Sequence, residues 1–432
     1  MTAEYLGERM TTAERTADPP VERAPVSGAA AGRAATAPGR ASSPERAGSS
    51  RRMNWDLIRV VAITFVVAGH LTGLASTLPG IEPYPVQVAI PFGTVTLLVL
   101  SGYFIGPTIR RGEAGRWFRA RLARLLPAYL VAVVLVYTVT RAVVVGFNGW
   151  RHQEGVLGFL FGDPVMPAGP VVDPVPPWHV PDLNDLLLTV FLLHEWNPDT
   201  FHRIDGSYWT LPVQVAAFAA AALLWRGKLH HRVRPVVVLW TVTLVSAASS
   251  ELRGISALET LPTATGLFRA HLFAAGISIW LWQQRRLSTR QLVLLLGATV
   301  VIQAFRSNPP TAGVLVGFVL MLLGMCAAAR GPDWDLPVLR ALRGPITWLA
   351  GISYCLYLVH QQLGYVFTRW LVEAGVSQWW LRLAIVVGAA VLVAWLLTVL
   401  VERPAHRALT RPRRADAARR GSGRSVPVGG AT

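Results

Sequence analysis

Long apolar runs dominate the sequence and restrict its possible folds more than any other feature. Ten runs of spanning or near-spanning length lie between two polar tails. A helix needs about 20 apolar residues to cross the hydrocarbon core of a bilayer. The runs are 55–75, 86–108, 125–147, 208–225, 235–249, 266–282, 291–304, 313–329, 346–367 and 381–401. This pattern predicts an all-α, polytopic membrane protein with about ten transmembrane helices.

The formal charge of +17 would ordinarily favour a nucleic-acid partner, but its distribution argues against one. Four segments carry the whole excess, and the remainder of the chain is neutral overall. These segments are 1–52, 110–124, 226–234 and 402–432. We therefore predict the lipid bilayer, and no nucleic acid, as a partner.

The basic residues also predict the topology. The connections 110–124, 226–234, 283–290 and 330–345 hold sixteen Arg or Lys residues, whereas the connections on the other side hold five. Basic loops remain on the cytoplasmic side of a membrane. With an even number of spans in the cell (plasma) membrane and both termini cytoplasmic, every connection lies on the side that its content of basic residues predicts.

The composition divides the chain into three regions. Residues 1–52 contain almost no large hydrophobic residues, which predicts a disordered cytoplasmic tail. Residues 53–402 form the predicted membrane domain, and residues 403–432 form a basic cytoplasmic tail. Within the domain, the connection 148–207 has eight Asp or Glu against two Arg, and we predict a long outer loop there.

Ionisable residues within the first run are candidates for function. Arg59 and His70 are eleven residues apart, so they share one helix face at a separation of about 16 Å. Asp56 precedes Arg59 by three residues and can pair with it. Charged groups within a span are costly and usually functional. A snorkelling arginine and a histidine bonded to a carbonyl remain the alternative.

The connection after the second run carries six arginines, more than topology requires. Arg121 and Arg124 lie three residues apart near a predicted helix start, where they could chelate a phosphate. Ser101 and Gly102 stand near the end of the preceding run. Anchoring of the loop to lipid headgroups remains the alternative.

Two further runs carry polar and aromatic residues at helical spacing. In the fourth run, Trp209 is followed by Gln214, two turns below the outer surface. In the ninth, Tyr354, Tyr357 and His360 follow at successive steps of three residues. Taken singly, such aromatic residues often belong to the interfacial belt or the core.

The predicted depths arrange these residues in two layers. His70, His360 and Gln214 reach about the same level, roughly 21–22 Å from the cytoplasmic face, at about 1.5 Å per residue. We therefore expect these three side chains to meet. The second layer lies near the cytoplasmic face and contains Arg59, Ser101, Arg121, Arg124 and Glu402.

In these motifs the chain resembles the acyltransferase-3 family of integral-membrane acyltransferases. The resemblance covers residues 54–404 and depends on the order and spacing of the motifs together. The motifs are Asp56 and Arg59 followed by His70, Ser101-Gly102-Tyr103-Phe104, the run from Arg121 to Tyr129, Ser207-Tyr208-Trp209-Thr210-Leu211, the run from Ser353 to His360, and Glu402-Arg403-Pro404. One departure is Gln214, where many members of the family carry Glu.

The resemblance implies an O-acyltransferase that moves an acyl group, commonly acetyl from acetyl-CoA, to a hydroxyl. The acceptor would be a carbohydrate, cell-envelope glycan, lipid or secondary metabolite of a bacterium. His70 would be the general base, or less commonly a transient acyl carrier, with Tyr357 and His360 orienting it or the acceptor. Arg121 and Arg124 would hold the CoA phosphates, and Arg59 and Ser101 would line the donor path.

No tightly bound cofactor and no metal ligand is predicted, and acyl-CoA would be a co-substrate. Cys326 and Cys355 lie within apolar runs and are expected to be core residues. The competing hypothesis is a transporter or flippase whose polar residues line a solute path without covalent chemistry. The arginine cluster on one cytoplasmic connection and the lack of repeat symmetry argue against it.

Overall fold

A computed structural model describes residues 52–88, 92–110, 113–168, 176–197, 203–255, 258–307 and 312–411. Within these ranges the regular structure is helical and includes no strand. The predicted tails lie outside the described residues, except for Arg52 and residues 403–411. Of these, Arg403–Thr410 is a helix that continues the last run, where a polar tail was predicted.

The described residues in the first half of the chain form seven helices. Helix α1 continues through a π-helical turn, Gly69–Leu74, and a 3-10 turn, Ala75–Thr77. A 3-10 turn, Gly206–Trp209, leads into α6. The helices are α1 (Met53–Ala68), α2 (Phe92–Ile109), α3 (Ala114–Phe147), α4 (Gly155–Phe161), α5 (Leu183–Val190), α6 (Thr210–Arg226) and α7 (Leu229–Arg232).

In the second half, the part of the chain that the structure describes forms ten further helices. A 3-10 turn, Leu267–Arg269, precedes α10, and a π-helical turn, Thr398–Glu402, joins α16 to α17. The helices are α8 (Pro235–Leu252), α9 (Leu261–Ala264), α10 (Ala270–Gln283), α11 (Thr289–Arg306), α12 (Ala312–Arg330), α13 (Pro337–Ala341), α14 (Arg343–Val359), α15 (Gln362–Glu373), α16 (Trp379–Leu397) and α17 (Arg403–Thr410).

The all-α, polytopic membrane class is confirmed, but the predicted count of about ten spans is not. Among the described residues, seven helical segments are long and apolar enough to cross a membrane. Helices α10 and α14 have only 14 and 17 residues, and polar residues at both ends of α11 lower its hydropathy. The seven segments are Met53–Thr77, Phe92–Ile109, Ala114–Phe147, Gly206–Arg226, Pro235–Leu252, Gly313–Arg330 and Trp379–Thr410.

The predicted start of the third run is wrong. Helix α3 begins at Ala114, eleven residues before the apolar run, and extends for 34 residues. Its first turns contain mainly Arg, Ala and Leu, which favour helix although the arginines make them polar. Arg121 and Arg124 therefore lie within a continuous helix and not in a connecting loop.

The ninth run is not one helix. It ends as α14 at Val359 and resumes as α15 at Gln362. A continuous helix would bond the Gln362 N–H to the Leu358 carbonyl, four residues earlier. Instead, the Gln362 N–H donates to Asp205 Oδ2 at 2.9 Å, and the Tyr208 hydroxyl donates to the Leu358 oxygen at 3.0 Å. The turn before α6 thus binds both groups of the missing hydrogen bond.

Helices α2 and α10 approach each other closely because glycines face each other. A Cβ on Gly102 would lie 2.6 Å from the Phe273 carbonyl oxygen. A Cβ on Gly276 would overlap the Val99 carbonyl and the Tyr103 amide. Both sites are filled by backbone, which cannot move aside as a side chain can.

The helix bundle has two ends, which we name by their contacts. At the proximal end, the backbone N–H groups of Met53 and Asn54 donate to the Asp333 carboxylate at 3.0 and 3.1 Å, which caps α1. The distal end contains Asp205 and the start of α6. In the predicted topology, the proximal end would be cytoplasmic and the distal end would face outward.

The glycine contact predicts a selective loss of stability. Gly276→Ala should lower the thermal midpoint in detergent, because overpacking of a core costs about 1–3 kcal/mol. Gly297→Ala is the control, since a Cβ on that exposed helical glycine meets no atom within 4 Å. Fluorescence-detected size exclusion after heating measures both midpoints. Equal midpoints for Gly276→Ala and the wild type would contradict the close approach of α2 and α10.

Candidate active site

Two histidines from distant parts of the chain form the centre of the site. His70 lies on the π-helical turn after α1, and His360 lies at the break between α14 and α15. Nδ1 of His70 is 2.7 Å from Nε2 of His360, and the two rings are stacked with centroids 4.9 Å apart. Their predicted meeting at one depth is therefore observed. His360 is fully buried, whereas His70 is partly exposed.

The backbone around His360 determines which nitrogen of each ring carries a hydrogen. Nδ1 of His360 lies 2.9 Å from the Tyr357 carbonyl oxygen and 3.2 Å from that of Leu356. A carbonyl only accepts, so this Nδ1 carries the hydrogen, and Nε2 of the neutral ring has a lone pair. Full burial without a carboxylate in contact among the described residues favours the neutral ring.

The consequence for His70 is a free basic nitrogen. Because Nε2 of His360 accepts, Nδ1 of His70 must be the donor in the 2.7 Å hydrogen bond. Nε2 of His70 then has the lone pair, which is the form that can take a proton from a hydroxyl group. The second histidine thus fixes the tautomer of the first.

A network of buried groups holds His360 in place, and Asp205 is its centre. Asp205 is fully buried and accepts from the Ser207 N–H at 2.8 Å and the Ser207 hydroxyl at 2.6 Å. The Ser207 hydroxyl lies 3.2 Å from the Tyr357 carbonyl oxygen, and the Tyr357 hydroxyl donates to the Ser207 carbonyl at 3.0 Å. This reciprocal contact locks the turn before α6 to the end of α14.

Sequence reasoning missed Asp205 because it was treated as part of the outer loop. Its spacing was informative: an Asp two residues before Ser207 forms the Asx turn that caps a short helix. Burial raises the pKa of Asp205, which precedes the sixth helix, to about 6. Hydrogen bonds from Ser207 and Gln362 oppose this shift but do not cancel it.

Gln214 does not join the histidines as expected. It is partly exposed on α6, and among the described residues it makes no hydrogen bond with His70 or His360. The depth of Gln214 was counted along one α-helix from residue 208, whereas α6 begins at Thr210 and a 3-10 turn with a larger rise per residue precedes it. Tyr357 does pack beside His360, with ring centroids 5.7 Å apart, but its hydroxyl is engaged by Ser207.

At the proximal end, Arg121 binds the end of α2. Its Nη2 donates to the Thr108 hydroxyl at 2.7 Å and to the Phe104 carbonyl at 3.0 Å. Its guanidinium also lies 5.5 Å from the ring centres of Trp117 and Phe218. Arg121 thus joins α3 to α2 and α6.

Arg124 occupies a different environment on the same helix. Its side chain is 47% exposed, and its Nε is 3.6 Å from Glu402, a buried residue on the π-helical turn after α16. Cys355 donates to the other oxygen of Glu402 at 3.4 Å, and the Tyr354 hydroxyl donates to the Leu125 carbonyl at 2.8 Å. Glu402 thus links α3, α14 and α16, and leaves much of the Arg124 guanidinium accessible.

The remaining predicted residues line α1 and α2. Asp56 is buried, and the Arg59 guanidinium lies 6.0 Å from the Phe104 ring centre. The Ser101 hydroxyl donates to the Leu97 carbonyl of its own helix at 2.9 Å. Gly102 is packed against α10, where an added Cβ would meet the Phe273 backbone, and its predicted part in donor binding stays a prediction.

The family comparison gives one match. A family model of acyltransferase-3 type, described as an acyltransferase domain, matches residues 53–399. No curated protein and no solved structure matches the chain at a significant level.

The raised pKa of Asp205 predicts a pH dependence of stability. A carboxyl whose folded pKa, about 6, exceeds its unfolded pKa, 3.8, contributes stability below the unfolded value and loses it as the pH rises through the folded value. The wild type should therefore lose stability relative to Asp205→Asn between about pH 4 and pH 7. Thermal midpoints across this range measure the difference. Asp163→Asn, at an exposed aspartate, should track the wild type; a pH-independent difference for Asp205→Asn would contradict the assignment.

Proposed function

The chain belongs to the acyltransferase-3 family and is a membrane acyltransferase, and from this premise we propose that it moves an acetyl group from acetyl-CoA to a hydroxyl. The acceptor is a carbohydrate, cell-envelope glycan, lipid or secondary metabolite of a bacterium. The observation that supports this reaction is the histidine pair, in which His360 leaves Nε2 of His70 with a lone pair. Family membership also favours covalent chemistry over the transporter alternative.

The proposed reaction uses His70 as acid and base in turn. Nε2 of His70 takes the proton of the acceptor hydroxyl as its oxygen attacks the thioester carbonyl. The tetrahedral intermediate then expels the CoA thiolate as the C–S bond breaks, and the imidazolium returns its proton to that sulfur. The products are the acetyl ester and CoA, and His70 is again neutral. His360 is a positioning residue, since it orients His70 through one hydrogen bond.

The donor would enter from the proximal end. Arg59, Arg121 and Arg124 are grouped there, and arginine binds phosphate oxygens well because its guanidinium donates from a planar fork. The accessible part of the Arg124 guanidinium is suited to a CoA phosphate, whereas Arg121 would contribute charge while it holds α2. Arg59 lies on α1, eleven residues before His70 on the π-helical turn, which corresponds to about 16 Å that an extended pantetheine arm would have to cover.

The acceptor would bind at the distal end. The connection between α3 and α6 is acidic and aromatic, and it contains Trp178, whose indole donates to the Pro79 carbonyl at 2.9 Å. With the proximal end cytoplasmic and the protein in the plasma membrane, donor and acceptor would approach the histidines from opposite sides. Both termini would then be cytoplasmic.

Substitution of the histidines tests the reaction. His70→Ala should lower the rate of transfer by about 100- to 10,000-fold, the usual contribution of a general base, while the KM for acetyl-CoA stays similar. His360→Leu should lower kcat, and His360→Gln should restore part of it, because an amide oxygen can accept from Nδ1 of His70. Release of CoA and label transfer from acetyl-CoA measure both steps in membranes.

His231→Ala is the matched control, because His231 is exposed on α7, outside the connection that would bind the acceptor and away from the pair. It should keep the wild-type rate. Wild-type transfer by His70→Ala would remove His70 from the mechanism. Equal rates for His360→Leu and the wild type would show that His70 needs no partner.

A further inference from the structure

Three arginines converge on one aromatic ring at the distal end. The guanidinium carbons of Arg253, Arg269 and Arg306 lie 5.0, 4.9 and 3.8 Å from the centre of the Phe268 ring. They come from three separate elements: the end of α8, the turn before α10 and the end of α11. We call these three residues the distal arginine cluster.

The cluster has no acidic partner among the described residues. None of the ion pairs that involve described carboxylates includes any of its three members. The ring distances place any two of the guanidinium carbons within about 10 Å of each other, which is about the Debye length at 0.1 M salt. Contact with an aromatic face attracts a cation but leaves its charge in place. The cluster is therefore a concentrated positive charge that an anion would stabilise.

The members of the cluster differ in how firmly they are held. Arg306 donates to Ser250 Oγ at 3.0 Å and to His271 Nδ1 at 3.3 Å, and it also bonds the carbonyls of Ser246 and Phe268. Arg306 is partly exposed, and these contacts fix the position of its charge. Arg269 has a single long hydrogen bond, 3.4 Å to Gln303, and Arg253 is exposed. These two arginines thus have N–H groups available for a ligand.

Membrane topology does not account for the cluster. Arginine is depleted from loops that cross the membrane during insertion, and the distal connections hold few of the basic residues of the chain. Arg253 and Arg306 are two of those few. A snorkelling role is also excluded for Arg306, whose guanidinium is bonded inward to α8 and α10.

The cluster is continuous with the candidate active site. The Arg269 guanidinium lies 5.2 Å from the centre of the Trp209 ring. Trp209 ends the 3-10 turn that begins beside Asp205 and holds the break at His360. Gly266, with φ +73°, brings its Cα close enough to α6 that an added Cβ would be 3.0 Å from the Val213 Cα. One turn thus joins the arginines to the histidine pair.

We propose that the distal arginine cluster binds an oxyanion, a carboxylate or a phosphate, carried by the acyl acceptor. This inference rests on the proposed function and narrows it: the acceptor is an acidic hydroxylated molecule, such as a uronic acid or a phosphorylated sugar unit. Arg253 and Arg269 donate to the oxyanion, because the guanidinium fork matches the geometry of both groups. Arg306 supplies a fixed charge behind them.

Paired acceptors test the proposal on the full chain in phosphatidylcholine nanodiscs. Glucuronate is compared with glucose, galacturonate with galactose, and glucose 6-phosphate with glucose, with acetyl-CoA as the donor. At least one acidic member should have a kcat/KM about tenfold or more above its neutral partner, since a hydrogen bond to a charged group is of this order. Arg253→Gln and Arg269→Gln should each remove that preference, because kcat/KM for the acidic member should fall about tenfold more than kcat/KM for its neutral partner. Arg151→Gln, an exposed distal arginine outside the cluster, should keep it.

A binding measurement separates this proposal from the proposed function. Without acetyl-CoA, glucuronate or inorganic phosphate should raise the thermal midpoint of the wild type and of His70→Ala, but not that of Arg253→Gln. If this shift is present and no acceptor is acetylated, oxyanion binding by the cluster is supported and the proposed acetyl transfer is contradicted. Equal use of acidic and neutral acceptors with no shift would overturn the cluster. So would a shift that only phosphatidylglycerol in the nanodisc produces, because the site would then hold a lipid headgroup.

Discussion

The break between α14 and α15 determines the geometry of the candidate site. The Gln362 N–H and the Leu358 carbonyl would bond to each other in a continuous helix, but Asp205 and the Tyr208 hydroxyl bind them instead. The break places His360 at a helix end, where its Nδ1 reaches the Tyr357 carbonyl. Its other nitrogen then faces His70. An unpaired backbone group in an apolar bundle is costly, so the turn at Asp205 is required for the break and for the tautomer that follows.

The two ends of the bundle use arginine in different ways. At the proximal end, Arg121 binds a hydroxyl and a carbonyl of α2, and Arg124 is balanced by Glu402. At the distal end, Arg253 and Arg269 lack a described carboxylate and stand beside aromatic rings. The proximal contacts hold the helices together while part of the Arg124 guanidinium stays accessible for the proposed CoA phosphate, and the distal charge without a described carboxylate would attract the proposed anionic acceptor.

The sequence was sufficient for the features that depend on periodicity and hydropathy. The equal predicted depths of His70 and His360 indicated that the two side chains meet, and the structure places them in contact. The apolar runs predicted the membrane class. The predicted helix boundaries were wrong where the polarity of a segment and its helix propensity disagree. At Ala114, for example, an arginine-rich segment is helical although it is polar. Asp205 and the break after Val359 could not be found from one segment alone, because each exists only through contact with the other. The function of individual residues stays a prediction.

The tautomer of His70 is the most direct test of this account. Nitrogen NMR of the protein labelled at histidine, with the His70 signal identified by comparison with His70→Gln, reports which ring nitrogen carries the hydrogen. We expect hydrogen on Nδ1 and a lone pair on Nε2 of His70 at neutral pH in the wild type, and a mixture of tautomers in His360→Leu. Hydrogen on Nε2 of His70 in the wild type would contradict it, because that ring could not accept the proton of an acceptor hydroxyl at its exposed nitrogen.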